Sequence, residues 1–191
     1  MRDPVVVVGP AGEPVTLDEV KTHLRIDDQS GDERWLLSAI RTAREDVESF
    51  TGRALITQTL ELTLDRWPAG ETLALPRPPL QSVASIQYTD RQGVEATLAT
   101  ESYLVDTRQA VVWLRYGYSW PGASLREAAG VVVRYTAGYG AAEAVPARLR
   151  HAILMLVGHL YENREATSQA GALTATPMGV ERLLWPYRVA F

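Results

Sequence analysis

The sequence contains no cysteine among its 191 residues. This absence excludes disulfide bonds, thiolate metal sites and cysteine nucleophiles. It fits a protein that folds in a reducing cytosol, where disulfides do not persist. A chain of this length buries a sizeable core without such cross-links, so we expect an ordinary folded protein.

Basic charge is also scarce. Lysine occurs once, at Lys21, and the formal net charge is -4. Proteins that grip phosphate backbones need clustered lysine and arginine. The composition therefore argues against a protein whose main task is to bind nucleic acid.

Long uninterrupted apolar runs are missing as well. The four valines at Val5–Val8 are far too few to span a bilayer or to form a secretory apolar segment. Pro4 and Pro10 lie close on either side of them. We therefore expect neither an export signal nor a membrane partner.

Three helices are predicted from caps and apolar spacing. Thr16 followed by Glu19 has the spacing of a capping box and predicts a first helix over Leu17–Leu24. A second helix is predicted from Asp32 to Thr51, ended by Gly52 in a left-handed cap. The third and most strongly patterned helix is predicted over 146–165, with Pro146 in its first turn.

Between the second and third helices the hydrophobic period changes from helical to alternating. Leu60, Leu62 and Leu64 alternate with Thr and Glu, as in a half-buried strand, and several more short strand-like runs follow up to Gly140. The predicted class is α+β: a helical core of three main helices, an inserted small antiparallel β unit and a C-terminal arm. We expect one domain over 1–191, with N-terminal helices in 17–52, the β insertion in 55–140 and the arm in 167–191. Residues 167–176 are predicted to form a mobile loop, followed by a short turn of helix around Val180–Leu184.

Residues that carry chemistry are few. His23, His151 and His159 are the only histidines. The last two are separated by about two helical turns, roughly 12 Å, which is too far to share one metal ion. The "GYG" at Gly138–Gly140 lacks the lysine and glycine spacing of a phosphate-binding loop. We therefore predict no catalytic residue, no metal site and no cofactor.

Mixed charge follows the second and third predicted helices. Such a pattern forms either a solvated face with pairs four residues apart or a ring of reciprocal ion pairs between identical subunits. The sequence leaves both interpretations open. The candidate inter-subunit residues are Arg41, Arg44, Glu48, Arg148, Glu162 and Arg164.

Aromatic residues are numerous for a chain of this size, with five Trp and eight Tyr. Several lie in loop-like segments, "YGYSWPG" and the closing "LLWPYR". Aromatic residues together with arginine are enriched at protein interfaces, but loop aromatics also cover the edges of a core. Both interpretations remain open at this stage.

Several segments together resemble one known family. They are "VTLDEVKTHLRID", "ESFTGRALITQT", "LPRPPLQSVASIQYTD", "VVVRYTAGYG", "VPARLRHAILMLVGHLYENREA" and "LLWPYR". In this order, and over nearly the whole chain, they resemble the head–tail connector (adaptor) family of tailed bacteriophages. The similarity is greatest to its longer members, including the adaptors of phage-derived gene transfer agents.

The resemblance implies a structural role without catalysis. Members of the family form a dodecameric ring beneath the portal protein, extend the channel through which DNA passes, and dock stopper or tail proteins. It implies that residues 32–51 and 146–165 build the ring and that residues 167–191 reach the portal. The implied location is the neck of a virion or phage-like particle, assembled in the bacterial cytoplasm.

Within the C-terminal arm, the closing aromatic cluster is the candidate anchor for the portal or another partner. A weakly self-supporting arm that orders against its neighbour would make assembly sequential. The candidate partner-binding residues are Leu183, Leu184, Trp185, Tyr187 and Arg188.

Three alternatives remain. The chain could be another neck component, such as a stopper or tail-completion protein. It could be a nucleic-acid-binding module, which the arginine-rich helices favour and the acidic net charge opposes. An enzyme whose site is assembled from distant residues is the least favoured, because the sequence offers only three histidines and scattered carboxylates.

Overall fold

The computed structural model describes residues 3–26, 31–163 and 178–189. The chain divides into two compact units, each made of two separate segments. The unit we call the β unit comprises Met1–Ala11 and Thr57–Tyr139, and the helical unit comprises Gly12–Ile56 and Gly140–Phe191. The predicted α+β class is confirmed, whereas the expectation of one domain over the whole chain stays a prediction.

The helical unit contains four α-helices in the described residues, and their bounds agree closely with the sequence pattern. In chain order they are α1 Leu17–Leu24, α2 Glu33–Thr51, α3 Ala147–Glu162 and α4 Met178–Leu184.

The start of α1 has the predicted capping box. The Glu19 backbone N–H donates to the Thr16 hydroxyl oxygen at 3.1 Å, and the Thr16 N–H donates to the Glu19 carboxylate at 2.8 Å. Two amide groups that would lack partners at the helix start are thereby satisfied. The capping box was predictable because it depends on two residues three positions apart.

The ends of α2 and α3 follow the predicted caps with small shifts. Gly52 ends α2 in the left-handed conformation, with φ 68°. Asp32 takes the N-cap position without a capping bond from its side chain, and its carboxylate instead accepts from the Tyr161 hydroxyl at 3.0 Å. Pro146 precedes α3, where its missing N–H costs nothing. The predicted extension of α3 to residue 165 and the predicted loop over 167–176 lie outside the described residues.

The core of the helical unit is formed by one apolar stripe from each helix, with α2 packed on α3 and α3 on α4. None of the helices in the described ranges is long and apolar enough to cross a membrane. The buried side chains of this core include Val20, Leu36, Ile40, Ala43, Val47, Leu149, Ile153, Leu156, Val157, Val180 and Leu184.

The β unit contains eight strands in the described residues, arranged in two antiparallel sheets. One sheet has five strands in the order β1-β2-β8-β4-β5, and the other has three in the order β3-β7-β6. The strands are β1 Val5–Val8, β2 Gln58–Leu64, β3 Thr72–Ala74, β4 Leu80–Thr89, β5 Glu95–Thr97, β6 Tyr103–Asp106, β7 Val111–Leu114 and β8 Val131–Ala137.

Strands β2 and β8 at the centre of the larger sheet show the alternation that the sequence predicts. Leu60 and Leu62 of β2 are fully buried, and so are Val133 and Tyr135 of β8. On the opposite face Glu61 pairs with Arg134 of β8. One face of the sheet is therefore core and the other is solvated.

Tyr135 is the largest side chain in this core, and its hydroxyl is satisfied there. The hydroxyl donates to the backbone oxygen of Pro76 at 2.8 Å. Burial raises the pKa of this phenol well above its ordinary value. The residue is therefore a neutral hydrogen-bond donor that ties the loop before β4 to the centre of the sheet.

Strand β1 was not predicted from the sequence. Four consecutive valines show no alternation, so the pattern that identifies half-buried strands is missing. In the structure Val5–Val8 pairs antiparallel with β2, with a register shift between Val6 and Val8. The β unit thus includes the N-terminal segment in addition to the predicted insertion.

Candidate interaction surfaces

A buried charge network lies on α2 of the helical unit. The Arg44 side chain donates through Nε to Glu13 and through Nη1 to Glu48, both at 2.8 Å. The second carboxylate oxygen of Glu48 accepts from the Leu55 backbone N–H at 2.8 Å. Burial lowers the pKa of Arg44, but Glu48 and Glu13 outweigh that effect and keep the pKa above its ordinary value. The network joins α2 to the chain on both sides of it.

This geometry differs from the inter-subunit role predicted for Arg44 and Glu48. Only 5% of Arg44 and 3% of Glu48 is exposed. Their charged atoms are bonded within the chain and are not accessible to a neighbouring copy. The spacing of four residues was recognised in the sequence, but Glu13 and the Leu55 amide are distant in sequence and gave no local signal.

Other charged side chains of the helical unit are also paired internally. Lys21, the single lysine, is buried and donates to Glu33 at 2.7 Å. Arg150 of α3 donates to the Pro14 backbone oxygen at 3.0 Å and forms an ion pair with Glu19. These contacts hold α1 against α2 and α3.

The remaining inter-subunit candidates lie on the surface. Arg41 on α2 and Arg148 and Glu162 on α3 are exposed, and none of the three forms an ion pair with another described residue. Arg164 lies outside the described residues. An inter-subunit role for these four side chains stays a prediction.

The closing segment over 178–189 is packed on the rest of the helical unit. Leu184 of α4 is only 2% exposed. The Arg53 side chain donates to the Tyr187 backbone oxygen at 2.6 Å, and the Val189 N–H donates to the Thr51 backbone oxygen at 2.8 Å. This part of the predicted arm is therefore supported by its own chain, and Leu184 is a core residue, which differs from the predicted role as a partner-binding anchor.

Two other members of the predicted anchor do form an exposed surface. Trp185 is 62% exposed. The Arg188 guanidinium lies over the Trp185 ring, 5.3 Å from its centroid, and 5.7 Å from the centroid of the Phe50 ring. We call Phe50, Trp185 and Arg188 the terminal aromatic patch. Leu183 and Tyr187 are half-buried beside it along the chain.

The "YGYSWPG" segment of the β unit has two different parts. Trp120 stacks on Trp67, with ring centroids 4.9 Å apart, and its indole N–H donates to the Gly70 backbone oxygen at 2.7 Å. Tyr116 and Tyr118 project into solvent. Trp120 therefore fits the interpretation that loop aromatics cover the edges of a core, while an interface role for the two exposed tyrosines stays a prediction.

Exposed apolar side chains recur elsewhere on the β unit. Leu104 of β6 and Trp113 of β7 lie directly opposite each other in the smaller sheet and are both exposed. Val94, just before β5, is exposed as well. Apolar side chains that remain exposed in groups mark interaction surfaces more often than scattered single ones do.

The described residues contain no group of three or more histidine and carboxylate side chains placed to hold a metal ion. His151 instead makes an edge-to-face contact with His23, with ring centroids 6.2 Å apart.

Comparison with known proteins found one matching family and several similar solved structures. Residues 13–176 match the family described as head completion protein. The chain is similar to a solved structure described as the neck of an empty GTA particle computed with C6 symmetry, at 28% identity and a TM-score of 0.81. It is also similar to the neck of a native GTA particle computed with C12 symmetry, at 26% identity and a TM-score of 0.78. Both alignments cover 100% of this chain and 97% of the other chain. A third similar structure, at 26% identity and a TM-score of 0.79, is described as the virion of a native gene transfer agent particle. No curated protein matches the chain significantly.

Proposed function

The chain belongs to the head completion protein family, and on that premise we propose that it is the head–tail connector, or adaptor, of a tailed phage or phage-like particle. Its role is structural and its place is the neck. The observation that carries this proposal is the alignment over the full chain with a neck protein of a gene transfer agent particle, at a TM-score of 0.81.

The proposed assembly is a ring of identical copies, twelvefold on the particle. The similar neck structures were computed with sixfold and twelvefold symmetry, which supports rotational assembly. A closed ring requires each copy to carry two different, complementary surfaces. Exposed apolar residues of the β unit and exposed charged residues on α2 and α3 are available for that purpose.

The proposed partners are the portal protein on one side of the ring and stopper or tail proteins on the other. The terminal aromatic patch is the candidate contact for one of them, because an exposed tryptophan held by an arginine is typical of residues that dominate binding energy. DNA passes through the lumen without specific binding, and the net charge of -4 favours passage over retention. No step in this role requires catalysis.

The experiment that tests the proposal is removal and replacement of the chain. Particles produced without it should contain filled heads that lack tails, and adding the purified full-length chain should restore tail attachment. Cryo-electron microscopy of the restored particles should show the chain as a ring directly against the portal. Normal tail attachment without the chain would contradict the proposal, and a position on the tail side of the neck would favour a stopper or tail-completion protein instead.

A further inference from the structure

Arg188 of the terminal aromatic patch is held by ring contacts that leave its hydrogen-bond donors unused. Its guanidinium lies 5.3 Å from the centroid of the Trp185 ring and 5.7 Å from that of the Phe50 ring. The side chain forms no ion pair or hydrogen bond with another described residue. An aromatic face attracts the positive charge but does not replace the acceptors that five N–H donors can bind. The patch therefore presents a charged donor group without an acceptor.

The backbone on both sides of Arg188 is fixed to the end of α2. The Arg53 side chain donates to the Tyr187 backbone oxygen at 2.6 Å, and the Val189 N–H donates to the Thr51 backbone oxygen at 2.8 Å. A donor that is already positioned loses little conformational freedom when a partner binds. The guanidinium is thus ready to receive an acceptor.

Positive charge gathers around the patch although the chain as a whole is acidic. The formal net charge is -4, yet the closing segment carries Arg182 and Arg188 against one carboxylate, that of Glu181. Arg182 lies one turn before Trp185, is exposed, and forms no ion pair with another described residue. A local excess of one charge on a surface attracts a partner of the opposite charge.

Burial of the patch sets a condition on the chemistry of the partner. Apolar contact with the exposed Trp185 ring would stabilise binding. A partner that covers this ring also removes water from Arg188, which lies over it. A buried charge without an opposite charge or hydrogen bonds is costly. The partner must therefore bring a carboxylate to Arg188 together with an apolar side chain for Trp185.

We propose that the terminal aromatic patch is the docking site for an acidic segment of another neck protein, in which a carboxylate lies beside an apolar side chain. This inference rests on the proposed function and names the chemistry of the partner at that surface. The carboxylate accepts hydrogen bonds from the Arg188 guanidinium, and the apolar side chain packs on the Trp185 ring. Arg182 adds attraction at longer range.

Other occupants satisfy only one part of the patch. Two identical patches would bring one Arg188 against another, with like charges and no carboxylate. An apolar segment without a carboxylate would bury Arg188 unpaired. Duplex DNA offers phosphates, but binding to its backbone requires many clustered cations, and the net charge of -4 opposes it. An acidic protein segment satisfies both the ring and the guanidinium.

Substitution of Arg188 separates an acidic partner from an apolar one. The readout is the concentration of purified full-length chain that restores half of the tail attachment to particles produced without it. Arg188→Leu removes the donors and keeps apolar bulk, so loss of the carboxylate contact should raise this concentration about 30-fold or more. Arg188→Lys keeps the charge but lacks the planar fork and should fall between the parent and Arg188→Leu. Arg188→Glu should be the weakest, because it repels the carboxylate.

Arg108→Glu is the matched control. Arg108 is exposed in the β unit, so the variant makes the same change in net charge outside the patch. It should shift the restoring concentration less than about threefold. All four variants should keep the circular dichroism spectrum and melting temperature of the parent, because both arginines are exposed. Added salt should weaken the parent more than Arg188→Leu, which has lost the charge contact.

The contrary results each overturn the inference. Arg188→Leu restoring as well as the parent would indicate an apolar partner, and equal losses for Arg188→Glu and Arg108→Glu would indicate an effect of net charge alone. Retention on duplex DNA that Arg188→Glu abolishes would assign the patch to phosphate. Self-association of the purified chain that Arg188→Glu abolishes would assign it to a second copy.

Failure of the inference and failure of the proposed function give different results. If the parent chain restores tail attachment and every Arg188 variant does so equally, the inference falls and the proposed function stands. If the parent chain itself does not restore tail attachment, both fall.

Discussion

The helical unit and the β unit differ in which side chains they bury and which they leave exposed. The helical unit buries charged groups and pairs them internally, as Arg44 does with Glu13 and Glu48. Among the described residues, all but two of the large hydrophobic side chains left exposed belong to the β unit, and the two exceptions are Leu37 and Trp185. The helical unit thus pairs its buried charges within the chain, whereas the β unit exposes apolar side chains that another molecule could contact.

This difference shifts the expected contact between subunits from the helices to the β unit. Charge patterns on the helices suggested reciprocal ion pairs between copies, but the buried members of that pattern stabilise the helical unit itself. Burial of apolar area drives most protein association. The exposed valines, Leu104 and Trp113 therefore make the β unit the better candidate for the contact between subunits.

Glu48→Ala should have the largest effect on stability, because it removes a buried carboxylate from the charge network of the helical unit. The change leaves the buried Arg44 charge and the Leu55 amide without their shared partner. Because Arg44 keeps Glu13 while the Leu55 amide loses its acceptor, we expect a loss of about 3 kcal/mol in the free energy of unfolding, measured by urea denaturation followed by circular dichroism. Glu45→Ala is the control, since Glu45 is an exposed partner of the same arginine and should cost less than about 1 kcal/mol. Equal losses would contradict an internal role for the network.

Trp120→Ala tests whether the packing of Trp120 stabilises the β unit next to the exposed tyrosines of the same segment. The change removes the stack on Trp67 and the hydrogen bond to Gly70, and we expect it to destabilise the protein by about 2 kcal/mol. Tyr116→Ala, in the same segment but fully exposed, should change stability by less than about 0.5 kcal/mol. Thermal unfolding followed by tryptophan fluorescence measures both. If the two variants melted alike, Trp120 would not be the support.

Tyr135→Phe measures how much one buried hydrogen bond in the β unit contributes to the free energy of unfolding, for comparison with the charge network of the helical unit. The Pro76 carbonyl would lose its donor, and we expect a cost of about 1–2 kcal/mol. Tyr118→Phe removes an exposed hydroxyl and should leave stability unchanged. The comparison is made by urea denaturation of the two variants. A larger loss for Tyr135→Phe than for Glu48→Ala would reverse the contrast between the units.

Trp185→Ala should have the smallest effect on stability. Trp185 is exposed on an otherwise self-contained unit, so its removal should change the free energy of unfolding by less than about 0.5 kcal/mol. If the terminal aromatic patch binds a partner, attachment to portal-bearing heads should weaken by a hot-spot increment of about 2 kcal/mol or more. Leu37→Ala, the other exposed position, is the control and should bind normally. Unchanged attachment of Trp185→Ala would remove the patch from the list of partner contacts.

Point variants are preferable here to removal of the whole arm. Val180 and Leu184 are buried in the core of the helical unit, so deleting residues 167–191 would also open that core. A truncated chain that failed to join heads would not separate lost binding from lost folding.

Features determined by neighbouring residues were predictable from the sequence. The capping box at Thr16, the left-handed cap at Gly52 and the alternation along β2 each depend on a few adjacent positions. The family resemblance, carried by motifs along the whole chain, led to the neck role that the family match supports.

Features that depend on distant contacts were not predictable. The burial of Leu184 requires α4 to pack on α3, and the Glu13–Arg44 pair joins residues that no periodic pattern connects. β1 pairs with β2 across more than fifty positions of sequence, and a run of identical residues contains no signal of register. These contacts decide which candidate residues stay accessible, so the sequence named interface residues that the fold buries.

The shortness of β1 has a consequence for how firmly the N-terminal segment is held. Four residues interrupted by a register shift form only a few main-chain hydrogen bonds with β2, so this strand should open before the central strands of the sheet do. The backbone amides of β1 should therefore exchange with deuterium faster than those of β2 and β8, without unfolding of the β unit.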